Sequence, residues 1–142
     1  MIRRSKLPRR TSKRIRARLP KALGTYRERV KYANHLWRRL VYKQAQDGLC
    51  VVCRKRPFVH AMHCWAKGPY PALRFDLSNG APGCGVCHRR IDSDHHAKTE
   101  FFRPYMGETE YSRLGLLASS RAKSDLALTI MFLESETAKG AA

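Results

Sequence analysis

Cys50-Val51-Val52-Cys53, His60-Ala61-Met62-His63, Leu73-Arg74-Phe75-Asp76-Leu77-Ser78-Asn79 and Cys84-Gly85-Val86-Cys87-His88 follow one another within residues 50–88. Two Cys-x-x-Cys knuckles therefore bracket a segment that carries two histidines and an asparagine, and the second knuckle runs straight into a third histidine. The spacing separates two jobs. Four thiolates can close a tetrahedral metal site and pin two distant stretches of chain together. The histidines and the asparagine are then left for other chemistry.

Three metal readings compete for these residues. A Cys₂His₂ finger from Cys50, Cys53, His60 and His63 fails on loop length. Six residues separate Cys53 from His60, where such fingers need about twelve. Cys84-Gly-Val-Cys87-His88 fits a c-type haem attachment pattern, but that attachment happens outside the cytosol and the chain shows no export signal. The remaining reading is a four-cysteine structural Zn²⁺ site from Cys50, Cys53, Cys84 and Cys87. The fifth cysteine, Cys64, is expected to be a small core residue.

Outward from this segment the chain divides into four stretches. Residues 1–23 are basic, carry Pro8 and Pro20 and lack apolar periodicity, which predicts an arm that stays disordered until it meets a partner. Residues 24–48 predict a basic amphipathic helix. Thr25-x-x-Glu28 is a capping box; Tyr26, Val30, Ala33, Trp37, Leu40, Val41 and Gln44 share one stripe; and Gly48 supplies a stop. Residues 49–107 are the zinc-stapled core, with β-prone Val51-Val52, Phe58-Val59 and the stretch around His63. A loop follows through Lys67-Gly68-Pro69-Tyr70-Pro71, then a turn at Ser78-Asn79-Gly80 and a helix from about Cys84. Strand, loop, strand, helix is the order a ββα-metal finger requires, so the expected class is α+β. Further helices are expected over about 96–105, 108–117 and 124–136, the last rich in Leu126, Leu128, Ile130, Met131 and Leu133, with a fraying end from Ala138.

The charge is unevenly placed. The chain has 29 Lys+Arg against 11 Asp+Glu, a net +18. Residues 1–56 hold 19 of those cations and only Glu28 and Asp47 against them. Such a block is an electrostatic footprint for a polyanion, most simply nucleic acid. Arg9, Arg10, Lys13, Arg14, Arg16 and Arg18 on the arm, with Arg38, Arg39 and Arg74, are the candidate phosphate contacts. A solvated basic tail is the plainer alternative. The first 20 residues lack the apolar face of a membrane-surface helix. No apolar run has membrane-spanning length, and no h-region follows Arg3-Arg4. A reducing cytosol is the expected location, where paired Cys-x-x-Cys spacings read as metal ligands.

Phosphodiester hydrolysis accounts for the surplus histidines. It needs a base to activate water, a divalent cation to neutralise phosphate charge, and fixed geometry. A neutral imidazole is a suitable base near pH 7. His63 is the candidate base, Asn79 the residue that fixes its imidazole, His88 a ligand of the catalytic cation and His60 a second ligand. The plainer alternative makes His63 and His88 satisfied polar residues.

Residues from Cys50 to about Leu114 resemble phage HNH endonucleases of the NinG/Rap recombination group and, more distantly, recombination endonuclease VII. The residues that carry the resemblance are Cys50-x-x-Cys53, His60-Ala-Met-His63, Leu73-Arg74-Phe75-Asp76-x-x-Asn79 and Cys84-x-x-Cys87-His88. Downstream, Glu100-Phe101-Phe102 and Gly107-Glu108 add to it. The resemblance implies a ββα-metal (His-Me finger) core, one catalytic Mg²⁺ or Mn²⁺, and DNA, branched DNA in particular, as substrate. It also implies His63 as base, Asn79 as orienting residue and His88 as metal ligand. A resolvase of this kind would work as a homodimer in the bacterial host cytosol, and the apolar C-terminal helix could serve that interface or close the core.

The chain departs from the family pattern at two places. Met62 stands where many HNH enzymes carry a ligating Asp or His, so His60, Asp76 or Asp94 must take over if the site is complete. Asp92-Ser93-Asp94-His95-His96 is an additional acidic and imidazole-rich run, from which His96 is the better candidate for a further ligand. The rival of another class is a zinc-stapled nucleic-acid-binding module that does not cut, and Met62 favours it. A third reading, an RNA-binding or ribosome-associated basic protein, fits the arm but leaves His63, Asn79 and His88 unexplained.

Overall fold

The computed structural model describes residues 24–141. The expected arm, with its six candidate phosphate contacts, lies outside the described residues. Helix α1 is Tyr26–Tyr42. It begins where the capping box requires: Thr25 N donates to Glu28 Oε2 at 2.6 Å and Glu28 N to Thr25 Oγ1 at 3.3 Å. The pair satisfies two otherwise orphaned donors. The helix stops six residues before Gly48, because Gln44 N and Ala45 N bond back only three residues, to Val41 O and Tyr42 O. Gly48, with φ 73°, serves a later turn. Ala33, Leu36, Trp37 and Val41 form the buried face. Leu36 was not on the expected stripe, and Tyr26, which was, is exposed because it lies in the first turn, ahead of the packed region.

Strand β1, His60–His63, pairs antiparallel with β2, Gly80–Gly83, in the register His60↔Gly83, Ala61↔Pro82, Met62↔Ala81 and His63↔Gly80. Val51-Val52 and Phe58-Val59 are not strands. They belong to the knuckle, which hangs from β2 carbonyls: Val51 N bonds Pro82 O at 3.1 Å and Val59 N bonds Gly83 O at 3.0 Å. Gly-Ala-Pro-Gly is a poor strand sequence by propensity, and packing decides it. All four residues are buried; Gly80 lies against Trp37 and Val41, and Gly83 against Met62.

Four helices follow: α2 (Gly85–Ser93), α3 (His95–Met106), α4 (Glu108–Ser120) and α5 (Leu126–Lys139). Cys84, Asp94 and Asp125 cap α2, α3 and α5, each accepting from backbone N–H groups of the first turn. The last helix runs past its expected end, so Ala138 is helical. Together these give the expected α+β class, with five helices and a two-stranded sheet among the described residues.

Two apolar clusters hold the elements together. Helices α1 and α5 share one, with Leu36, Trp37, Val41, Phe75, Ile130 and Leu133. The second packs Met62, Cys64, Ala81, Ile91 and Phe102 beneath the sheet. Helix α5 thus closes the core through Ile130 and Leu133, while Leu128 and Met131 face outward. Among the described residues, no helix is long and apolar enough to cross a membrane.

Candidate functional site

The two knuckles meet. One ligand atom each from Cys50, Cys53, Cys84 and Cys87 lies within 4.8 Å of the other three. In the first knuckle Arg54 N bonds Cys50 O at 2.9 Å, and Arg54, with φ 55°, turns the chain back toward Cys50, whose N donates to Arg56 O at 2.8 Å. In the second, Cys84 is the N-cap of α2 and its sulfur accepts from Cys87 N at 3.5 Å. Backbone N–H groups of Lys55 and Arg56 bring the Cys53 thiol down to about 6. Burial, with the neighbouring thiols acting the same way, pushes Cys87 up to about 12. Four sulfurs at this spacing fit a closed tetrahedral site for a borderline-soft cation. His60 and His63 are not among them, which removes the Cys₂His₂ alternative. Cys64 also stands apart, in the core beneath the sheet, where burial pushes it up to about 12.

The histidines collect elsewhere, in one open cleft that His60, His63 and His88 line together with Asn34, Trp37, Arg38, Lys67, Asp92 and Lys98. The Nδ1 atoms of His60 and His88 face each other at 2.8 Å. Strand β1 supplies one ring and the second turn of α2 the other. His88 Nε2 lies 3.0 Å from Asp92 Oδ2, one helical turn on, and Lys98 Nζ holds the other Asp92 oxygen at 3.0 Å. The 2.8 Å spacing is a hydrogen bond between the two imidazoles, and the carboxylate contact sets its direction. It assigns the His88 proton to Nε2 and leaves the Nδ1 lone pair toward His60. Burial lowers the His88 pKa from its usual value, and the Asp92 charge works against that.

His63 Nε2 lies 2.9 Å from Arg74 O. A carbonyl can only accept, so the neutral ring carries its proton on Nε2 and its lone pair on Nδ1. One face stacks on Trp37, with centroids 4.2 Å apart and planes at 13°. Burial is the largest influence on its pKa and lowers it; Lys67 and the Arg74 charge act the same way, and the Arg74 carbonyl bond and Asp92 oppose them. The lowered value favours the neutral ring near pH 7.

Asn79 makes no hydrogen bond to the imidazole itself and bonds instead to the backbone beside the strand. It is fully buried and clamps the loop: Oδ1 accepts from Trp65 N at 2.7 Å, and Nδ2 donates to Trp65 O at 3.0 Å and Leu73 O at 2.9 Å. Leu73 precedes Arg74, so Asn79 acts on His63 through the loop that carries the accepting carbonyl. A short carboxamide offers both a donor and an acceptor, which suits it to pinning backbone rather than steering a ring.

The other candidate ligands are engaged elsewhere. Met62 is fully buried in the core beneath the sheet. Asp76 pairs with Arg113 at 3.0 Å, Asp94 caps α3, and His96 pairs with Glu100 at 3.1 Å on an exposed surface. Of the Asp92–His96 run, only Asp92 reaches the cleft; its i, i+4 spacing from His88 on α2 was the available signal. Arg38 lines the cleft, and Arg39 lines an adjoining depression with Lys31, His35 and Tyr42. The Arg74 guanidinium lies over Phe75, 5.2 Å from its ring centre.

Compared with protein families, with curated proteins and with solved structures, the chain has no match in any of the three.

Proposed function

We infer that this protein is a metal-dependent DNA endonuclease with a ββα-metal core of the HNH type and a structural Zn²⁺ on Cys50, Cys53, Cys84 and Cys87. One observation carries the reading: two imidazole Nδ1 atoms converge in the same cleft as a third histidine whose Nε2 is tied to a carbonyl. Two nitrogens able to hold a divalent cation beside a neutral base suit phosphodiester hydrolysis by water.

His60 and His88 would hold a divalent cation through their Nδ1 atoms once the hydrogen bond between those atoms is given up, with Asp92 and Lys98 bracing the second ring. Such a cation, Mn²⁺ or Mg²⁺, would offset charge on the phosphate as it builds up in the transition state. Two imidazoles and no directly placed carboxylate favour Mn²⁺ over Mg²⁺. His63 Nδ1 accepts the proton of the attacking water while Nε2–H stays on Arg74 O. The new P–O bond forms as the ester P–O bond breaks, and the leaving oxygen takes a proton from solvent. Arg38 and Lys67 at the cleft, with Arg39 beside it, supply positive charge for the flanking phosphates, and the basic stretch before residue 24 adds to it. By its resemblance to the NinG/Rap group, the substrate class is branched DNA and the setting phage or mobile-element recombination.

The test is cleavage of a labelled four-way junction and a matched linear duplex by wild type and His63→Ala, in Mn²⁺, Mg²⁺ or EDTA, with zinc content measured alongside. Metal-dependent cutting lost in His63→Ala supports the reading, and the junction-to-duplex ratio gives the substrate class. A folded, zinc-loaded wild type that binds DNA and never cuts it would leave a binding module instead.

A further inference from the structure

His63 is held on three sides, and its own motif reveals none of the holds. Its Nε2 is tied to Arg74 O, its backbone pairs with Gly80 across the sheet, and its ring lies flat on Trp37. Trp37 is itself fixed. It is 1% exposed, and its Nε1 donates to Asp76 O at 2.9 Å. The imidazole edge and the indole edge are therefore anchored to carbonyls two residues apart in one loop. Gly80 makes the room: a Cβ there would lie 2.6 Å from Trp37 Cζ2 and 2.6 Å from Val41 Cγ2. The residue opposite His63 in the ladder is thus the one whose missing side chain admits the ring that backs His63.

We propose that Trp37 is a positioning residue for His63, admitted by Gly80, whose stacked indole fixes the imidazole plane while the Arg74 carbonyl fixes its rotation within that plane. Nδ1, which has no hydrogen-bond partner among the described residues, is then presented to the cleft that His63 lines. The effect on rate rests on His63 being the base, but the hold is a property of the ring and is measurable without catalysis. A core tryptophan with no such role would fill space beside Leu36, Val41, Ile130 and Leu133, and any apolar replacement that folds would serve.

The experiment compares Trp37→Phe, Trp37→Leu and Gly80→Ala with wild type. It reads the His63 ring nitrogens by NMR, single-turnover cleavage with its kcat and KM components, and thermal unfolding to correct for folded fraction. Wild type should show a single Nε2–H tautomer. In Trp37→Leu that signal should become a tautomer mixture, with kcat down about 10- to 100-fold, the scale of a misplaced reacting group, and KM little changed. Trp37→Phe, which keeps a stackable face, should recover most of the rate. Gly80→Ala should reproduce the Trp37→Leu behaviour with the indole still present, and it decides the matter if Trp37→Leu does not fold. A folded Trp37→Leu, or a folded Gly80→Ala, with the wild-type tautomer and rate would overturn the proposal. If wild type itself does not cleave DNA the nuclease reading falls, and the tautomer comparison still decides whether Trp37 holds His63.

Discussion

The sulfur cluster and the imidazole cleft draw on the same short stretch of chain and use opposite physics. In the first, four side chains converge within 4.8 Å and three of the four are buried. It joins a turn near residue 50 to a helix start near residue 84, so a cation there would help offset the chain entropy of closing that loop. In the second, two ring nitrogens meet at the wall of an open cleft, and the Asp92 carboxylate, the Arg74 carbonyl and the Trp37 indole lie against its rings. A closed site makes fold; an open one leaves positions for water and substrate. The largest test of this division is Cys84→Ser. Structural zinc binding of about 10–16 kcal/mol is itself folding free energy, comparable to a small domain's whole stability of about 5–15 kcal/mol. We expect the variant to lose helical circular dichroism and zinc together, as wild type should under a strong chelator. A folded Cys84→Ser would erase the distinction between the two regions.

His63→Ala asks the opposite question of the cleft. Removing a general base typically costs about 10²- to 10⁴-fold in rate. The ring is a minor part of the core, so circular dichroism, zinc content and DNA binding should stay near wild type. Loss of DNA binding in proportion to loss of cleavage would mean that the cleft is a binding surface and that the third histidine has no chemical part.

The two regions also differ in how much of them the sequence discloses. The thiolate set is legible because metal chemistry fixes both residue type and spacing, and no packing detail can rearrange it. The α1 capping box is legible for the same local reason. Strand β2 is not: Gly80-Ala81-Pro82-Gly83 has no strand propensity, and it is a strand because its bare backbone fits between Trp37 and Met62. The cleft is legible in its three histidines and obscure in everything that orients them. The Arg74 carbonyl has no side-chain signature. Asn79 holds backbone rather than a ring. Asp92 is concealed in an acidic run whose other members cap α3 or pair on the surface. Burial could not be read along α1 either: Leu36 is buried against α5, and Tyr26 is exposed in the first turn.

Asp92→Asn sharpens the comparison by weakening one region alone. Loss of a carboxylate behind a ligating imidazole typically lowers metal affinity about 10- to 100-fold. Asparagine keeps the shape but gives up the charge that holds His88 and Lys98. Titration of zinc-loaded protein with Mn²⁺, followed by calorimetry or electron paramagnetic resonance, should show weaker binding with the zinc stoichiometry unchanged. Unchanged Mn²⁺ affinity would remove Asp92 from the cleft's machinery and leave it as the Lys98 partner only.

The smallest effect, and the most specific to the cleft, is on pH. With His63 as the proposed base, the cutting form would have it neutral, so kcat/KM should rise with pH through the His63 pKa and then level. That pKa lies below the ordinary 6.5, chiefly through burial, with Lys67 and the Arg74 guanidinium acting in the same direction against the Arg74 carbonyl and Asp92. The acid limb should therefore fall below pH 6.5, where an unperturbed histidine would already be half protonated. Lys67→Met removes one of the two neighbouring cations, and a missing positive charge makes imidazolium easier to form. The limb should move upward in pH while the plateau tautomer and the zinc content stay as they were. Movement downward, or none in a variant whose DNA affinity has fallen, would place Lys67 with the phosphate contacts at the cleft rather than with the electrostatics of the base.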